Sequence, residues 1–353
     1  MMGCFSPVSV NGVVFPNHFS FAPINTGLFL NGHMRKEFME FYRRRAGNHL
    51  GTTYVGNVAV DENMVTNSGT AYFSQENFSE WTELAEMICS QGSVPAIQLG
   101  CRFSQIPAMH EWINPNPGDY IEQARNEISL FAKEQLDMIM EKFLSAAQMA
   151  WRCGFKVLQI HAAHGYLLSL LCNPDFNSRD DEYNPYDLLF LKKLISALSN
   201  RLPKAILDIR VSFLYGIRDR DTEMEAGFGL LDRLTRMPVH IISISNGIYN
   251  INKNYIYPPA TVSEEQYISF GNTLARKYPN KYWSIAGNLH NIGVLIQNND
   301  ENLLFSFGRQ LICDPLFIEK YVNHQEDKII QCTHCGKCHY YSHRESSLQD
   351  ARE

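Results

Sequence analysis

Residues 155–183 read FKVLQIHAAHGYLLSLLCNPDFNSRDDEY, and both the fold and the chemistry of the chain are inferred outward from this stretch. Its first part, residues 156–160, is a short, mostly aliphatic run, which predicts a strand buried on both faces in a parallel sheet. His161, His164 and Tyr166 follow where the strand passes into a loop. In a barrel of alternating strands and helices, catalytic groups collect at the carboxyl ends of the strands. The stretch therefore predicts a barrel strand that carries part of an active site.

The two histidines and the tyrosine have three interpretations. They could simply make local hydrogen bonds in a loop that follows a buried strand. They could bind a metal, but zinc sites use three or four ligands, and no carboxylate or third histidine lies close by in the sequence. The pair is better suited to directing two N–H donors at one acceptor oxygen, with the phenol of Tyr166 as a nearby proton donor. We therefore expect His161, His164 and Tyr166 to be catalytic.

The composition is that of a globular protein with a large core, since 45% of the 353 residues are hydrophobic and 19% are charged. A formal net charge of −6 argues against a nucleic-acid surface, which normally has a basic face, and favours a small-molecule substrate. Most of the nine cysteines are scattered singly, as in proteins kept reduced. The opening residues MMGCFSP lack a signal-peptide pattern, and no apolar run is long enough to span a membrane. We expect a cytoplasmic protein without membrane contact, and a homo-oligomer remains open.

Short apolar runs alternate with amphipathic stretches along the rest of the chain, which predicts repeated strand and helix units. The other strands are expected at residues 19–24, 52–60, 94–99, 205–212, 239–245, 282–286 and 303–307. Helices are expected at residues 36–48, 75–91, 121–153 (a short helix, then a main one from about residue 132) and 186–202. Counting the strands gives eight units. We therefore predict a single (β/α)8 TIM barrel over residues 1–330, followed by a cysteine-containing tail over residues 331–353.

The runs IHAAHGYLL at residues 160–168 and NSRDDEY at residues 177–183 strongly resemble the signature of the old yellow enzyme family, the FMN-dependent NAD(P)H:flavin oxidoreductases. The resemblance can be followed over nearly the whole chain, from about residue 7 to residue 338. It is nearest to the dienoyl-CoA reductase-like branch, but without the extra domains of that branch. The resemblance implies bound FMN and NAD(P)H as the reductant.

Several further residues match cofactor-binding positions of this family. The seventh and eighth strands each end in glycine and a polar residue that open a helix, where backbone N–H groups can hold a phosphate. The resemblance implies that the phosphate of FMN binds at Gly287, Asn288, Gly308 and Arg309. It places Arg210 against the flavin ring, and a charge inside an apolar strand would be costly without a partner. The remaining ring contacts implied by the resemblance are Pro23, Asn25, Thr26 and Gln98.

The resemblance also implies a reaction in which hydride passes from NAD(P)H to FMN and then to an activated C=C bond. His161 and His164 would donate hydrogen bonds to the substrate carbonyl oxygen, and Tyr166 would protonate the neighbouring carbon. Alternatives on the same barrel are a dienoyl-CoA reductase-like reaction, amine oxidation or NADH oxidase activity. A non-catalytic flavin-binding protein is a further alternative. The preference for NADH or NADPH and the identity of the alkene or enone stay open.

Residues 246–259 form a loop rich in tyrosine after the sixth strand. Tyr249, Tyr255 and Tyr257 could form a wall of the substrate site or could face solvent, and the sequence favours neither.

The tail contains CTHCGKCHYY at residues 332–341, and its C-x2-C-x2-C spacing is a metal or cluster signal. Cys332, Cys335 and Cys338 are therefore candidate metal ligands. The related branch of the family carries a four-iron cluster on such cysteines, but the fourth cysteine, expected about a dozen residues later, is missing. Zinc held by three thiolates and either His334 or His339 is an alternative. We expect a metal-free remnant or a zinc site rather than an intact cluster.

Overall fold

The computed structural model describes residues 3–102, 117–249, 251–297, 300–336 and 338, and within them eight parallel strands close into a barrel. Each strand pairs with the next along the chain, and the eighth pairs with the first. The single (β/α)8 TIM barrel predicted from the sequence is therefore confirmed. The strands are β1 (Phe19–Phe21), β2 (Thr52–Ala59), β3 (Val94–Gly100), β4 (Val157–Ala162), β5 (Ile206–Ser212), β6 (Ile241–Ser245), β7 (Tyr282–Ile285) and β8 (Leu303–Phe307).

The strands are buried on both faces, as their apolar sequences predict. Every residue of β4, β5 and β6 is buried. The observed β4 extends further than the predicted residues 156–160, so that His161 lies in the strand itself. The parallel register places Arg210 of β5 beside His161 of β4 and Ser243 of β6. Polar groups from neighbouring strands thus meet inside the barrel.

Helices alternate with the strands and surround the barrel. Three of them are shorter than predicted, among them the second, which spans Phe78–Ser90 rather than residues 75–91. The first ends at Arg43 because Gly47, Asn48 and His49 all adopt positive φ, which an α-helix cannot include. They are α1 (Lys36–Arg43), α2 (Phe78–Ser90), α3 (Pro117–Leu130), α4 (Lys133–Cys153), α5 (Leu167–Leu171), α6 (Leu189–Arg201), α7 (Arg220–Leu234), α8 (Lys253–Ile256), α9 (Glu265–Lys277), α10 (Ile292–Gln297), α11 (Arg309–Cys313) and α12 (Phe317–Val322), with 3₁₀ turns at Glu62–Met64 and Glu326–Lys328.

The third shortened helix is α6, which begins at Leu189 rather than near residue 186. The side-chain oxygen of Asn184 accepts the backbone N–H groups of Tyr186 and Asp187, and this local turn delays the helix.

An antiparallel hairpin, Val8–Val10 and Val13–Phe15, covers the amino-terminal end of the barrel. Its buried side chains pack against residues near the amino-terminal ends of the strands. The partners in this small core are Tyr54, Ala96, Val157, Ile206, Ile241 and Leu304. The hairpin closes one end of the barrel, and the carboxyl ends of the strands form the other.

Short additions surround that second end. Phe29–Leu30 and His33–Met34 form a small hairpin, and Ala71–Tyr72 pairs beside the end of β2. Among the described residues, no helix combines the length and the apolar character that a membrane span requires.

Candidate active site

A cavity lies at the carboxyl ends of the barrel strands, where catalytic residues of such barrels are normally found. Most of the residues predicted for the site converge on it from strands β3, β4 and β5 and from the loops after β1, β4, β7 and β8. Those that line it are Pro23, Asn25, Gln98, His161, His164, Tyr166, Arg210, Gly287, Asn288, Gly308 and Arg309, together with Cys332 and Cys338 of the tail.

Two predicted residues are not among those that line the cavity, Thr26 and Cys335. Thr26 is buried, and its hydroxyl oxygen accepts the backbone N–H of Leu28 at 3.3 Å. Its role in holding a cofactor stays a prediction. Cys335 is exposed.

His161, His164 and Tyr166 form one cluster at the end of β4. The ring centre of His161 lies 5.1 Å from that of His164 and 4.4 Å from that of Tyr166. His164 adopts a left-handed φ of 63°, and its backbone N–H donates to the hydroxyl oxygen of Ser212 in β5 at 3.0 Å. The hydrogen bond to β5 fixes this turn, and the rings of His161 and His164 both line the cavity.

Both imidazoles are neutral at ordinary pH. Burial lowers the pKa of His161 and of His164 well below the usual range, and the charge of Arg210 adds to this effect. A neutral imidazole carries one N–H, so each ring can donate one hydrogen bond.

Ser245, at the end of β6, connects His164 to Arg210. Its hydroxyl oxygen lies 2.6 Å from Nε2 of His164 and 3.3 Å from Nη2 of Arg210. Arginine can only donate, so the serine accepts from Arg210 and can donate its own proton to Nε2 of His164. That arrangement leaves the Nδ1–H of His164 for a ligand. Ser245 was not identified from the sequence, because a serine in a strand has no distinguishing pattern.

Arg210 is a buried cation inside β5. Burial lowers the pKa of its guanidinium, and the nearby carboxyl of Asp208 acts in the opposite direction. Its Nε has no hydrogen-bond partner within the described part of the chain. A buried cation with an unused donor is costly and is suited to an electron-rich ligand in the cavity.

Asn57 contacts the phenol of Tyr166, since its Nδ2 donates to the phenol oxygen at 2.8 Å. The register of β2 against β3 shifts between Val55 and Val58, and such a bulge re-aims side chains beside active sites. A Cβ at Gly100 would lie 2.3 Å from Oδ1 of Asn57, so the glycine leaves the space for this side chain. Sequence reasoning missed Asn57, because a bulge cannot be recognised from the local pattern.

A buried polar chain lies inside the barrel and consists of Gln98, Gln159, Asp208, Tyr54 and Ser243. Nε2 of Gln98 donates to Oε1 of Gln159 at 2.6 Å, and Nε2 of Gln159 donates to Oδ2 of Asp208 at 2.5 Å. The hydroxyls of Tyr54 and Ser243 donate to the same carboxyl at 2.8 Å and 2.9 Å. Of these residues the sequence analysis identified Gln98 alone.

Basic and amide groups gather at the end of the cavity formed by the loops after β7 and β8. The guanidinium of Arg309 donates to the carbonyl oxygen of Pro258 at 2.7 Å and to Nδ1 of His334 at 3.0 Å, and it lies 3.5 Å from Oδ1 of Asn288. The backbone of Gly308, which precedes α11, completes this end of the cavity. These groups are suited to an anionic ligand such as a phosphate.

The loop tyrosines divide between the two predicted alternatives. Tyr249 and Tyr257 line the cavity, and their hydroxyl oxygens lie 2.9 Å apart. The ring of Tyr249 is 5.5 Å from that of His164. Tyr255 is 41% exposed and faces solvent.

The tail passes beside the end of the cavity that is suited to a phosphate, next to Arg309. Gln310 fixes it, because its Nε2 donates to the carbonyl oxygen of Ile330 and its Oε1 accepts the N–H of Cys332. Across the residues that the structure covers, no group of three or more His, Cys, Asp or Glu side chains is placed to hold a metal ion. His339, the second histidine considered as a zinc ligand, lies outside the described residues.

The cavity has the unmet polar groups that FMN would satisfy. Asn57 Oδ1, His161 Nδ1 and Arg210 Nε are buried on it without a partner in the described residues. Buried polar atoms are almost always paired in folded proteins, so three around one cavity indicate a ligand with several acceptors and donors. A flavin ring with a phosphate on its side chain has this character, and the residues present fit it.

Comparison with known proteins agrees with this site. Residues 4–328 match the model of the NADH:flavin oxidoreductase / NADH oxidase family. The chain is 25% identical over 324 residues to an NADPH dehydrogenase of Bacillus subtilis (strain 168), which covers 89% of this chain and 92% of that protein. It is 25% identical over 308 residues to the NADH-dependent flavin oxidoreductase iliE of Hypocrea jecorina, covering 76% and 75% of the two chains.

Solved structures show the same fold. An Old Yellow Enzyme from Pichia sp. AKU4542 superposes with a TM-score of 0.70 at 18% identity, covering 93% of this chain and 88% of that one. A 2-naphthoyl-CoA reductase in complex with 2-naphthoyl-CoA superposes with a TM-score of 0.78 at 15% identity. That match covers 96% of this chain but only 55% of the longer reductase chain. The family match over most of its length, joined to this cavity, shows that the chain belongs to the NADH:flavin oxidoreductase / NADH oxidase family, the old yellow enzyme family of FMN-dependent NAD(P)H oxidoreductases.

Proposed function

We propose that the protein is an ene-reductase, which uses NAD(P)H to reduce an activated C=C bond, such as that of an enone, with Tyr166 as the proton donor. The observation that carries this proposal is the cluster of His161, His164 and Tyr166 on one cavity with Arg210. A protein that only stored flavin would have no use for two buried neutral donors beside a phenol.

Residues at two parts of the cavity would hold the cofactor. Gln98 and Arg210 would hold the polar edge of the flavin ring, with Pro23, Asn25 and Thr26 as the other ring contacts. Gly287, Asn288, Gly308 and Arg309 would hold the phosphate, because the guanidinium and amide of this group already lie together at one end of the cavity. Bound FMN would supply a two-electron carrier that accepts hydride from NAD(P)H and donates it to the substrate.

The residues of the chain bind and polarise the substrate. His161 and His164 each donate one N–H to the substrate carbonyl oxygen, since both rings are neutral. This oxygen gains negative charge as hydride reaches the conjugated carbon, and donors fixed in advance stabilise that charge. Tyr249 and Tyr257 form the facing wall of the cavity.

Tyr166 completes the reaction by giving its phenolic proton to the carbon next to the carbonyl. The Nδ2–H of Asn57 points at the phenol oxygen, so that oxygen is stabilised as the proton leaves. The phenol must only lie within reach of the carbon, because a positioned acid contributes about 10²- to 10⁴-fold.

The experiment is a purification followed by a substrate screen. The protein should be yellow and should release FMN, identified by chromatography, on denaturation. NADH and NADPH are then tested against enones, unsaturated CoA thioesters and oxygen alone. Turnover confined to enones supports the proposal, and turnover confined to CoA thioesters or to oxygen contradicts it.

The double variant His161→Ala, His164→Ala tests the role of the two imidazoles. It should keep its FMN but lose enone turnover. Colourless wild-type protein that also fails to take up added FMN would contradict the cofactor assignment itself.

A further inference from the structure

We propose that Asp208 is a positioning residue for the flavin, which fixes the amide orientation of Gln98 through Gln159 and opposes the charge of Arg210 beneath the cavity. The inference rests on the proposed FMN site. Neither Asp208 nor Gln159 lines the cavity, so both act through their neighbours.

Asp208 is fully buried in β5, two residues before Arg210. Side chains two apart in a strand point to the same side, so both project into the barrel, with Asp208 one layer below Arg210. Its carboxyl accepts hydrogen bonds from the two adjacent strands, β4 and β6, and from β2 across the barrel interior. The donors are the hydroxyl of Tyr54 in β2, Nε2 of Gln159 in β4 and the hydroxyl of Ser243 in β6.

The carboxylate determines which way the amides point. An ionised carboxylate can only accept, so Gln159 must turn its NH₂ towards Asp208 and its carbonyl oxygen towards Gln98. Gln98 in turn must give an N–H to that carbonyl. The carbonyl oxygen of Gln98 is then the acceptor that remains for a ligand in the cavity. A cofactor ring with an N–H donor at its polar edge, as FMN has, requires this orientation.

The same carboxylate sets the local charge. Two charged or titratable groups act directly on it, Tyr54 from β2 and Arg210 from β5, while β4 and β6 bring the neutral Gln159 and Ser243. The pKa of Tyr54 is raised well above its usual range by burial and by Asp208, so this phenol stays a donor. Burial raises the pKa of Asp208 to about 6, and its three donors and Arg210 oppose that rise.

An ionised Asp208 therefore reduces the positive field that Arg210 presents to the cavity. Reduction of a flavin adds negative charge, so a carboxylate nearby disfavours the reduced state. The flavin potential should thus depend on Asp208. As the pH falls through about 6, Asp208 is protonated and the potential should rise more steeply than the flavin alone requires.

The test uses the FMN-loaded wild type and the isosteric variant Asp208→Asn, which removes the charge and allows the Gln159 amide to reverse. The midpoint potential is measured against pH by equilibration with a reference dye, and FMN affinity by fluorescence titration of the apoprotein. We expect the reduced state to be favoured about tenfold in the variant, which is ~30 mV for a two-electron couple. We expect FMN to bind about fivefold more weakly, the value of one misdirected hydrogen bond.

Two further variants keep the test decisive. Ser284→Ala removes a buried hydroxyl from β7, the strand beside β6, and Ser284 does not line the cavity. This control variant should change neither the midpoint potential nor the FMN affinity. Ser243→Ala keeps the carboxylate but removes one of its donors, so the inflection of the potential should move to higher pH. Ser243→Ala also serves if Asp208→Asn does not fold, as judged by circular dichroism.

The proposal is overturned if the potentials and affinities of Asp208→Asn and Ser243→Ala both match those of Ser284→Ala. A wild type that takes up no FMN would instead contradict the proposed function. A wild type that binds FMN and reduces enones, with unaltered variants, would contradict the role of Asp208 alone.

Discussion

Replacing Asn57 by Ala should slow proton donation without unfolding the protein. The substitution removes the 2.8 Å hydrogen bond from Nδ2 to the phenol oxygen of Tyr166. A hydrogen bond to a group that becomes charged is worth about 1.5–3 kcal/mol, so the step in which the phenol loses its proton should slow by about 10- to 150-fold. The cost in stability is small, because the variant loses one hydrogen bond worth ~1 kcal/mol but also loses the unpaired, buried Oδ1 of Asn57.

The assay is stopped-flow absorbance, which separates reduction of FMN by NAD(P)H from its reoxidation by an enone. Reoxidation should slow in Asn57→Ala, whereas the reductive step and the FMN content should stay near wild type. Tyr166→Phe provides the second arm of a double-mutant cycle. If Asn57 acts through the phenol, removing it from the Tyr166→Phe variant adds nothing. Equal slowing by Asn57→Ala in both backgrounds would refute the reasoning.

Three other predictions concern the same cluster. Tyr166→Phe should leave flavin reduction intact and slow enone-driven reoxidation by about 10² or more; equal slowing of both steps would indicate a structural tyrosine. The double variant His161→Ala, His164→Ala should lower enone turnover by at least ~10²-fold, the typical loss for one oxyanion donor, and unchanged kinetics would exclude that role. The pKa of both histidines is lowered from 6.5, so their contribution to stability is complete above pH 6.5 and is lost as the pH falls. The free energy of unfolding of wild type should therefore fall relative to that double variant by up to about 1.4 kcal/mol per pH unit for each histidine, as measured by urea titration, and parallel pH curves would contradict it.

The barrel and the grouping of His161, His164 and Tyr166 on one cavity could be predicted because their signals are local. A continuous apolar run followed by His161, His164 and Tyr166 can be recognised within one short segment of sequence. Each of the other strands is likewise a short apolar run. The loops that follow β7 and β8 were likewise identified by their glycine and polar residues. Strand and helix ends were less accurate, since they depend on turns such as the one that Asn184 makes before α6.

The supporting residues could not be predicted because their roles depend on pairing between strands. Asn57 reaches Tyr166 only through the register shift of β2 and the space left by Gly100. Gln159 and Asp208 lie within runs that are otherwise apolar, and the parallel register is what sets them side by side. Thr26 was selected by family resemblance alone; it is buried and is not among the residues that line the cavity, and its contact with a flavin ring stays a prediction.

The hairpin formed by Val8–Val10 and Val13–Phe15 has a consequence for the order of events in catalysis. It closes the barrel at the amino-terminal end, so in the proposed reaction NAD(P)H and the alkene would both reach the flavin from the carboxyl end. In that reaction the nicotinamide would leave before the alkene could bind. Double-reciprocal plots of the initial rate against NAD(P)H concentration, measured at several fixed alkene concentrations, should accordingly be parallel lines. An excess of alkene should inhibit by competing with NAD(P)H for the oxidised enzyme.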